Sequence, residues 1–377
     1  MEFSWTPPQR ARYDAALATA RQRFAPESGT PGIAPEDWRT LGEHGLLGAA
    51  VEPKYGGGGL GALDTALLFE AFGRGCPDTG LVFAAAAHLF ACAMPIAEFG
   101  PPALRERLLP GLCAGESVAA NAMTEPDAGS DVSTLATTAT PVDGGYLLTG
   151  TKSFVSNGPD ADVFVTYATT DPGAGHFALT AFVVERGATG LHVGEPFGKL
   201  GMASCPAGQV EFADCFVPHD SVLGERGQGS VVFQQSMLWE RTCLFALYVG
   251  LQDRLVDQVV AHAKERRQFG RPLREFQSVS NRIVEMKLRL ESSRLLLYRA
   301  CWSLDRAEPD PLCSALSKLA VSEAAVASAV DAVQLLAGRG YRTGQGVEAA
   351  LRDALGGTIF SGTSDIQRQI VARELGL

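Results

Sequence analysis

"GGYLLTGTKSFVSNGPDADVFVTYATT", Gly144 to Thr170, decides the fold class. Short runs of β-branched and aromatic residues are cut by Gly, Asn, Asp and Pro, which is strand and turn chemistry. "FALTAFVVERG", "GLHVGEP" and "GQVEFADCFVP" continue the texture. Together they predict a small antiparallel β domain, a barrel or sandwich, over residues 117–226. On either side the period becomes helical. Upstream lie "RYDAALATARQRF", "APEDWRTLGEHG" and "ALDTALLFEAFGRG", with Pro35 and Gly45 marking a start and a stop. Downstream, long helices run from "SVVFQQSMLWERTCLFALYVGLQDRLVDQVVAHAKERRQF" to the closing "TSDIQRQIVAREL". The chain therefore reads as α+β multi-domain, mainly α. A helical domain (1–116), a β domain (117–226) and a helical bundle (227–377) follow one another.

The bulk numbers exclude several functions. Of 377 residues, 46% are hydrophobic and 20% charged, an ordinary globular balance. The net charge of -10 argues against nucleic acid, which needs a basic face. Eight cysteines without C-x-x-C spacing and six scattered histidines give no metal site, and the cysteines read as reduced thiols. The N-terminus has no signal-peptide pattern. The most apolar run, Gly80 to Ala97, falls short of the ~20 residues of a membrane span. It reads as a buried helix ended near Pro95, and the protein as cytoplasmic.

Four stretches carry candidate chemistry. "YGGGGLGALDTALLFEAFG" holds G-x-G-x-x-G at Gly56, Gly58 and Gly61, but a helical stretch follows where a β-α-β unit is needed. A flexible turn is the better reading, with a Rossmann dehydrogenase as rival. "NAMTEPDAGSDVS", Asn121 to Ser133, offers Thr124, Ser130 and backbone N–H groups to a planar polar ligand, with Gly129 allowing close approach. Taken alone, a capped turn is the better reading. Period two puts Phe154 and Ser156 on one strand face, to stack on a ring and hydrogen-bond to it, or simply to end a strand. "AKERRQFGRPLR", Ala263 to Arg274, sets Arg266, Arg267 and Phe269 for a nucleotide, or is a solvated basic helix end.

In this order and spacing the motifs resemble the acyl-CoA dehydrogenase family across essentially the whole chain. "MTEPDAGSD", "ERRQFGRPLREFQS", "QLLAGRGY" and "GTSDIQRQIVARELG" carry the likeness. The resemblance implies FAD between the β domain and a four-helix bundle. It also implies a homo-oligomer, dimer or tetramer, whose subunits share each FAD. Carried over by motif, Asn121, Met123, Thr124, Gly129, Ser130, Phe154 and Ser156 would line the flavin. Arg266, Phe269, Gln277, Gln334 and Gly338 would meet the adenosine and pyrophosphate. Thr363 and Asp365 would also touch FAD.

Such chemistry removes an α-proton from an acyl thioester and passes a hydride to the flavin. The base must be a desolvated carboxylate. Many members carry that glutamate just before the Gly-Thr of the last motif, where this chain has Ser361, and an unassisted serine cannot serve. Isovaleryl- and long-chain-type members keep a small residue there and place the base in a Glu-Arg pair on a bundle helix. "MLWERTCLFALYVGL" matches with Glu240-Arg241, and Trp239, Cys243, Leu244 and Phe245 supply apolar surroundings. Glu240 is therefore the expected base. Ser130, Trp239, Arg241 and Ser361 are the expected substrate contacts.

"AHLFACAMP", "MLWERTCLFALYVG" and "IFSGTSDIQ" narrow the likeness to dehydrogenases of prodiginine-type and related pathways. Those oxidise L-proline on a peptidyl carrier protein to a pyrrole-2-carboxyl thioester. "SCPAG", Ser204 to Gly208, departs from the Arg- and Ser-rich loop of typical acyl-CoA enzymes. The expected substrate is a carrier-tethered prolyl, or another aminoacyl or acyl, group, with oxygen or a flavoprotein taking the electrons. A short or branched-chain acyl-CoA dehydrogenase and a non-catalytic flavin-binding relative remain open.

Overall fold

The computed structural model describes residues 4–24, 31–306, 308 and 310–377. The first helices are α1 (Pro7–Arg23), α2 (Pro35–Glu43), α3 (Ala62–Gly75) and α4 (Thr79–His88). Pro35 opens α2 at a position whose N–H has no partner in any helix. A π turn, Leu89–Ala93, joins α4 to α5 (Met94–Phe99), and α6 (Pro102–Ala114) closes the region. Pro95 therefore does not end this helix, and the segment Thr79–Phe99 runs 21 residues, 94% of its most apolar window buried. The wide turn is what lets Pro95 stay. The Met94 N–H reaches back five residues to the Leu89 carbonyl, and Pro95 has no N–H to offer the Phe90 carbonyl. The Ser236 hydroxyl, from a bundle helix, donates to that carbonyl at 3.4 Å.

The β domain comprises β1 (Ala119–Ala122), β2 (Thr138–Val142), β3 (Gly145–Ser156), β4 (Val163–Thr169), β5 (Leu179–Glu185), β6 (Leu191–Val193), β7 (Ala207–Pro218) and β8 (Val222–Leu223). They form one sheet in the order β6-β7-β3-β2-β4-β5-β8, with β1 beside β4. The sheet is mixed rather than wholly antiparallel. β1 pairs parallel with β4, and β2 touches β4 in parallel at Thr138 and Thr169. The β2–β3 hairpin lies between β1 and β4 in the chain, so both can run the same way. Phe164, Phe182 and Phe212 fill the domain's own core, each contributing about 1.5–3 kcal/mol by burial. An "NG" turn forms at Asn157, φ 63°. Its side-chain amide donates to the Ala84 and Ala119 carbonyls at 3.0 and 3.3 Å, stitching the β domain to α4.

The bundle holds α7 (Gly229–Trp239), a second π turn (Glu240–Leu244), α8 (Ala246–Glu265), α9 (Gln277–Asp305) and α10 (Pro311–Leu336). The shorter α11 (Val347–Gly356) and α12 (Ser364–Glu374) end the chain. The long helix expected from Ser230 onward is thus interrupted at Glu240. It also stops at Glu265, because "RRQFGRP" turns back as a hairpin of β9 (Arg267–Gln268) and β10 (Arg271–Pro272). α3 crosses α8 at two glycines. A Cβ on Gly73 would lie 2.1 Å from the Leu247 carbonyl oxygen, and one on Gly250 2.1 Å from that of Glu70. That contact locks the N-terminal domain onto the bundle, and the two π turns pack against each other beside it.

Candidate functional site

Glu240 opens the second π turn, directly after the last residue of α7, and it is 7% exposed. Burial pushes its carboxyl up to about 7, against a hydrogen bond from Ser361 and the charge of Arg241. Cys243, Leu244 and Phe245 are buried alongside, as their composition led one to expect. Trp239 stacks on Phe90 of the first π turn, with ring centroids 6.3 Å apart, and its indole N–H donates to Glu98 at 2.8 Å. The Cys301 thiol on α9 donates to the Thr242 carbonyl inside the π turn at 3.6 Å.

The closing loop reaches this carboxylate. Ser361 Oγ donates to Glu240 Oε2 at 2.6 Å. Arg241 Nε donates to the Ser361 carbonyl at 3.3 Å. Ser361 has φ 54° and Gly362 has φ 87°. The left-handed backbone costs a serine roughly 1–2 kcal/mol, which a hydrogen bond to a charged group, about 1.5–3 kcal/mol, offsets. The loop is held from below by Phe360, whose ring lies 4.3 Å from that of Phe83 and 5.8 Å from that of Phe245. It is held from above by Thr363, which caps α12 by accepting from the Ile366 N–H at 3.2 Å.

Two residues that sequence reading missed face the same place. Tyr167 on β4 is buried, and its hydroxyl has no hydrogen-bond partner among the described residues. Cys92, in the first π turn, is buried as well. Burial first raises both groups; the charge of Glu240 follows at Cys92, and Cys92 and then Glu240 follow at Tyr167. Neither carried a signal, since one sat in a strand pattern and the other in an apolar run.

A second group of predicted residues gathers at the edge of the β domain. Asn121 lies on β1, and its buried Oδ1 has no partner among the described residues. The loop that follows is organised by Glu125. This carboxylate accepts from the Lys152 ammonium at 2.8 Å and from the backbone N–H of Ala136 and Thr137 at 2.6 and 3.0 Å. Lys152 also donates to the Met123 carbonyl at 3.2 Å, and the Ser153 N–H to that of Thr124 at 2.8 Å. The "MTEPDAGSD" and "GTKSF" motifs are thus bound into one unit. Gly129 and Ser130 stay exposed. Phe154 and Ser156 do not share a strand face in simple alternation. The β3–β7 register shifts between Lys152 and Val155, and Phe154 takes φ 56° with its ring 69% exposed while Ser156 is half-buried. The bulge turns the ring outward.

The third group occupies one end of the bundle. Phe269, at the tip of the β9–β10 hairpin, is 93% exposed. Arg266 precedes that hairpin and Gln277 opens α9. Arg282 on α9 donates to Gln334 on α10 at 2.7 Å, and Gly338 lies open just past that helix. Thr363 joins the Glu240 cluster through the loop, whereas Asp365 points to solvent, 3.4 Å from Arg368. An orphaned amide oxygen, a second buried orphan at Ser364 Oγ, and outward-facing Phe154 and Phe269 leave polar and aromatic groups that fit a flavin dinucleotide. A separate cavity of about 500 Å³ between α1, α3, α8 and α9 shares no lining residue with these groups. Its Glu70 is already bound by Arg294 and Tyr298, at 2.9 and 2.7 Å.

Comparison with known proteins agrees. Family models match three consecutive parts of the chain: the acyl-CoA dehydrogenase N-terminal domain at residues 6–116, the middle domain at 120–215 and the C-terminal domain at 227–376. An L-prolyl-[peptidyl-carrier protein] dehydrogenase of Pseudomonas fluorescens is 56% identical over 341 residues, 90% of each chain. A solved structure described as PigA with FAD and proline superposes with a TM-score of 0.97 at 42% identity, covering 100% of both chains. One described as the prolyl acyl carrier protein oxidase AnaB gives 0.96 at 37% identity, covering 99% of this chain and 100% of that one.

Proposed function

The chain belongs to the acyl-CoA dehydrogenase family, and we propose that it is a FAD-dependent acyl-thioester dehydrogenase acting on an L-prolyl group held by a peptidyl carrier protein. The observation that carries the reading is Glu240, a buried carboxylate at about 7 where two π turns and the closing loop meet. A base poised near neutrality both exists as carboxylate and holds the proton it takes. Glu240 removes the α-proton of the prolyl thioester. Arg241 and Ser361 hold the loop that bounds the substrate, and Trp239 walls it against Phe90.

FAD, when bound, would accept the hydride that leaves the adjacent Cβ with its bonding pair, while the pair of the broken Cα–H bond forms the new double bond. Asn121, Met123, Thr124, Gly129, Ser130, Phe154 and Ser156 line the flavin, with Thr363 and Asp365 at the loop. Arg266, Phe269, Gln277, Gln334 and Gly338 take the adenosine and pyrophosphate. Phe269 reaches that part in a second copy of the chain, which suits its exposure and the bare apolar face of α9 at Val284, Leu288 and Leu295. The assembly is a homo-oligomer. All eight cysteines are free and buried, which suits the cytoplasm.

The test is anaerobic flavin bleaching by prolyl-carrier protein and by a panel of acyl-CoA thioesters. Bleaching by the prolyl substrate supports the reading. Bleaching by acyl-CoA alone overturns the proline assignment.

A further inference from the structure

Resting on Glu240 as the base, we infer that Ser361 is a positioning residue that clamps both members of the Glu240–Arg241 pair, the hydroxyl fixing the carboxylate and the carbonyl fixing the guanidinium. The residue that replaces a glutamate in the closing motif therefore keeps a part in the proton transfer. Neighbouring helix positions point about 100° apart, so Glu240 and Arg241 face different ways. Ser361 reaches both, through Oγ at 2.6 Å and through its carbonyl at 3.3 Å. The fully buried Gln367 of α12 anchors the clamp, donating to the Ser361 and Gly362 carbonyls at 3.3 and 3.0 Å. A left-handed backbone at Ser361 favours glycine over serine, so local conformation does not account for this side chain, and its hydrogen bond does.

The hydroxyl has two consequences. It occupies Oε2, which directs the other oxygen, Oε1, to the substrate. It also donates to the ionised form, which keeps the base charged at lower pH than burial alone would allow. Few neighbours compete for this control. Arg241 shares the turn, Cys92 sits on the first π turn and Tyr167 on β4. Lys318 on α10 and Arg373 on α12 bear on Arg241 rather than on the carboxylate. Glu98 of α5 is engaged by Trp239, Glu70 of α3 by Arg294 and Tyr298, and His88 of α4 by the Leu112 carbonyl and the Ala119 N–H. On α9, Cys301 faces the Thr242 carbonyl.

The experiment compares S361A, S361G and E240Q holoenzymes, with FAD content checked by absorbance and kcat/KM for prolyl-carrier protein followed from pH 5.5 to 9. Removing the hydroxyl moves the acid limb of both serine variants up by about one unit, a roughly fivefold loss at pH 7 that approaches about tenfold at lower pH and recovers at high pH. S361G relieves the backbone, so it folds even where S361A does not. An unmoved limb in both variants, or a shift in S361A alone, overturns the clamp while leaving Glu240 as base. An E240Q enzyme with undiminished turnover overturns the base and the clamp together.

Discussion

Two buried carboxylates, each beside a cation, end up in opposite states. In the β domain, Glu125 meets the Lys152 ammonium and two backbone N–H groups. Burial alone would raise it, but hydrogen bonds from Lys152 and Thr137 hold it below the usual carboxylate range. In the bundle, Glu240 meets one hydroxyl, and Arg241 spends its Nε on the Ser361 carbonyl. Burial wins there, and the carboxyl rises to about 7. What differs is the contact: the Lys152 ammonium itself donates to Glu125, with two backbone N–H groups beside it, whereas Arg241 donates elsewhere and leaves Glu240 one hydroxyl, and each donor replaces a water lost on burial. The well-supplied pair builds the scaffold, and the under-supplied carboxyl stays raised.

The sharpest way to break this contrast is to neutralise the under-supplied carboxylate. E240Q is expected to cut kcat by roughly 10²–10⁴-fold while retaining the yellow flavin spectrum, as read by single-turnover bleaching. In the well-supplied pair the loss goes to stability instead. K152M strands Glu125 and costs about 3–5 kcal/mol, measurable by urea unfolding, and E125Q/K152M recovers part of it.

A third measurement separates the two glutamates by pH. The folded pKa of Glu240 lies above the ordinary 4.5. The stability it contributes is complete below that value and is lost as pH rises through about 7. E240Q apo-protein should then match the wild type below about pH 4 and exceed it by about 3 kcal/mol at pH 8.5, seen as a gap opening between their unfolding midpoints. The smallest effect is expected at the loop. T363A removes the cap of α12 for about 1 kcal/mol, with a modest rise in the apparent pKa of the rate profile as Ser361 loosens.

Much of this was legible beforehand. The helix–sheet–helix order follows from hydrophobic period, and Glu240 stands out as a candidate because, by the family resemblance, Ser361 leaves the closing motif without a carboxylate. What stayed hidden is non-local or too short to have a period. Five residues cannot distinguish bonds reaching back four positions from bonds reaching back five, so Pro95 reads as a stop and Glu240 as a point on an unbroken helix. The bulge at Phe154 defeats a count by twos. Glu125 and Lys152 stand 27 positions apart, and neither is conspicuous until the sheet brings them together. The Ser361–Glu240 bond spans 121 positions. The family resemblance points to a glutamate absent at one end of the chain, and only the fold shows that Ser361, which stands in its place, touches Glu240.

The π turn at Glu240 also acts as a phase shift. It threads one more residue into a helical circuit than the regular ladder allows, so the face presented by α7 and the face presented by α8 are offset by about 100°. α7 can thereby turn toward the β domain while α8 keeps Gly250 seated against α3. Deleting any one residue between Glu240 and Leu244 would bring the two faces back into phase. The chain would still be helical there, but it would have to choose between docking the N-terminal domain and presenting its carboxylate.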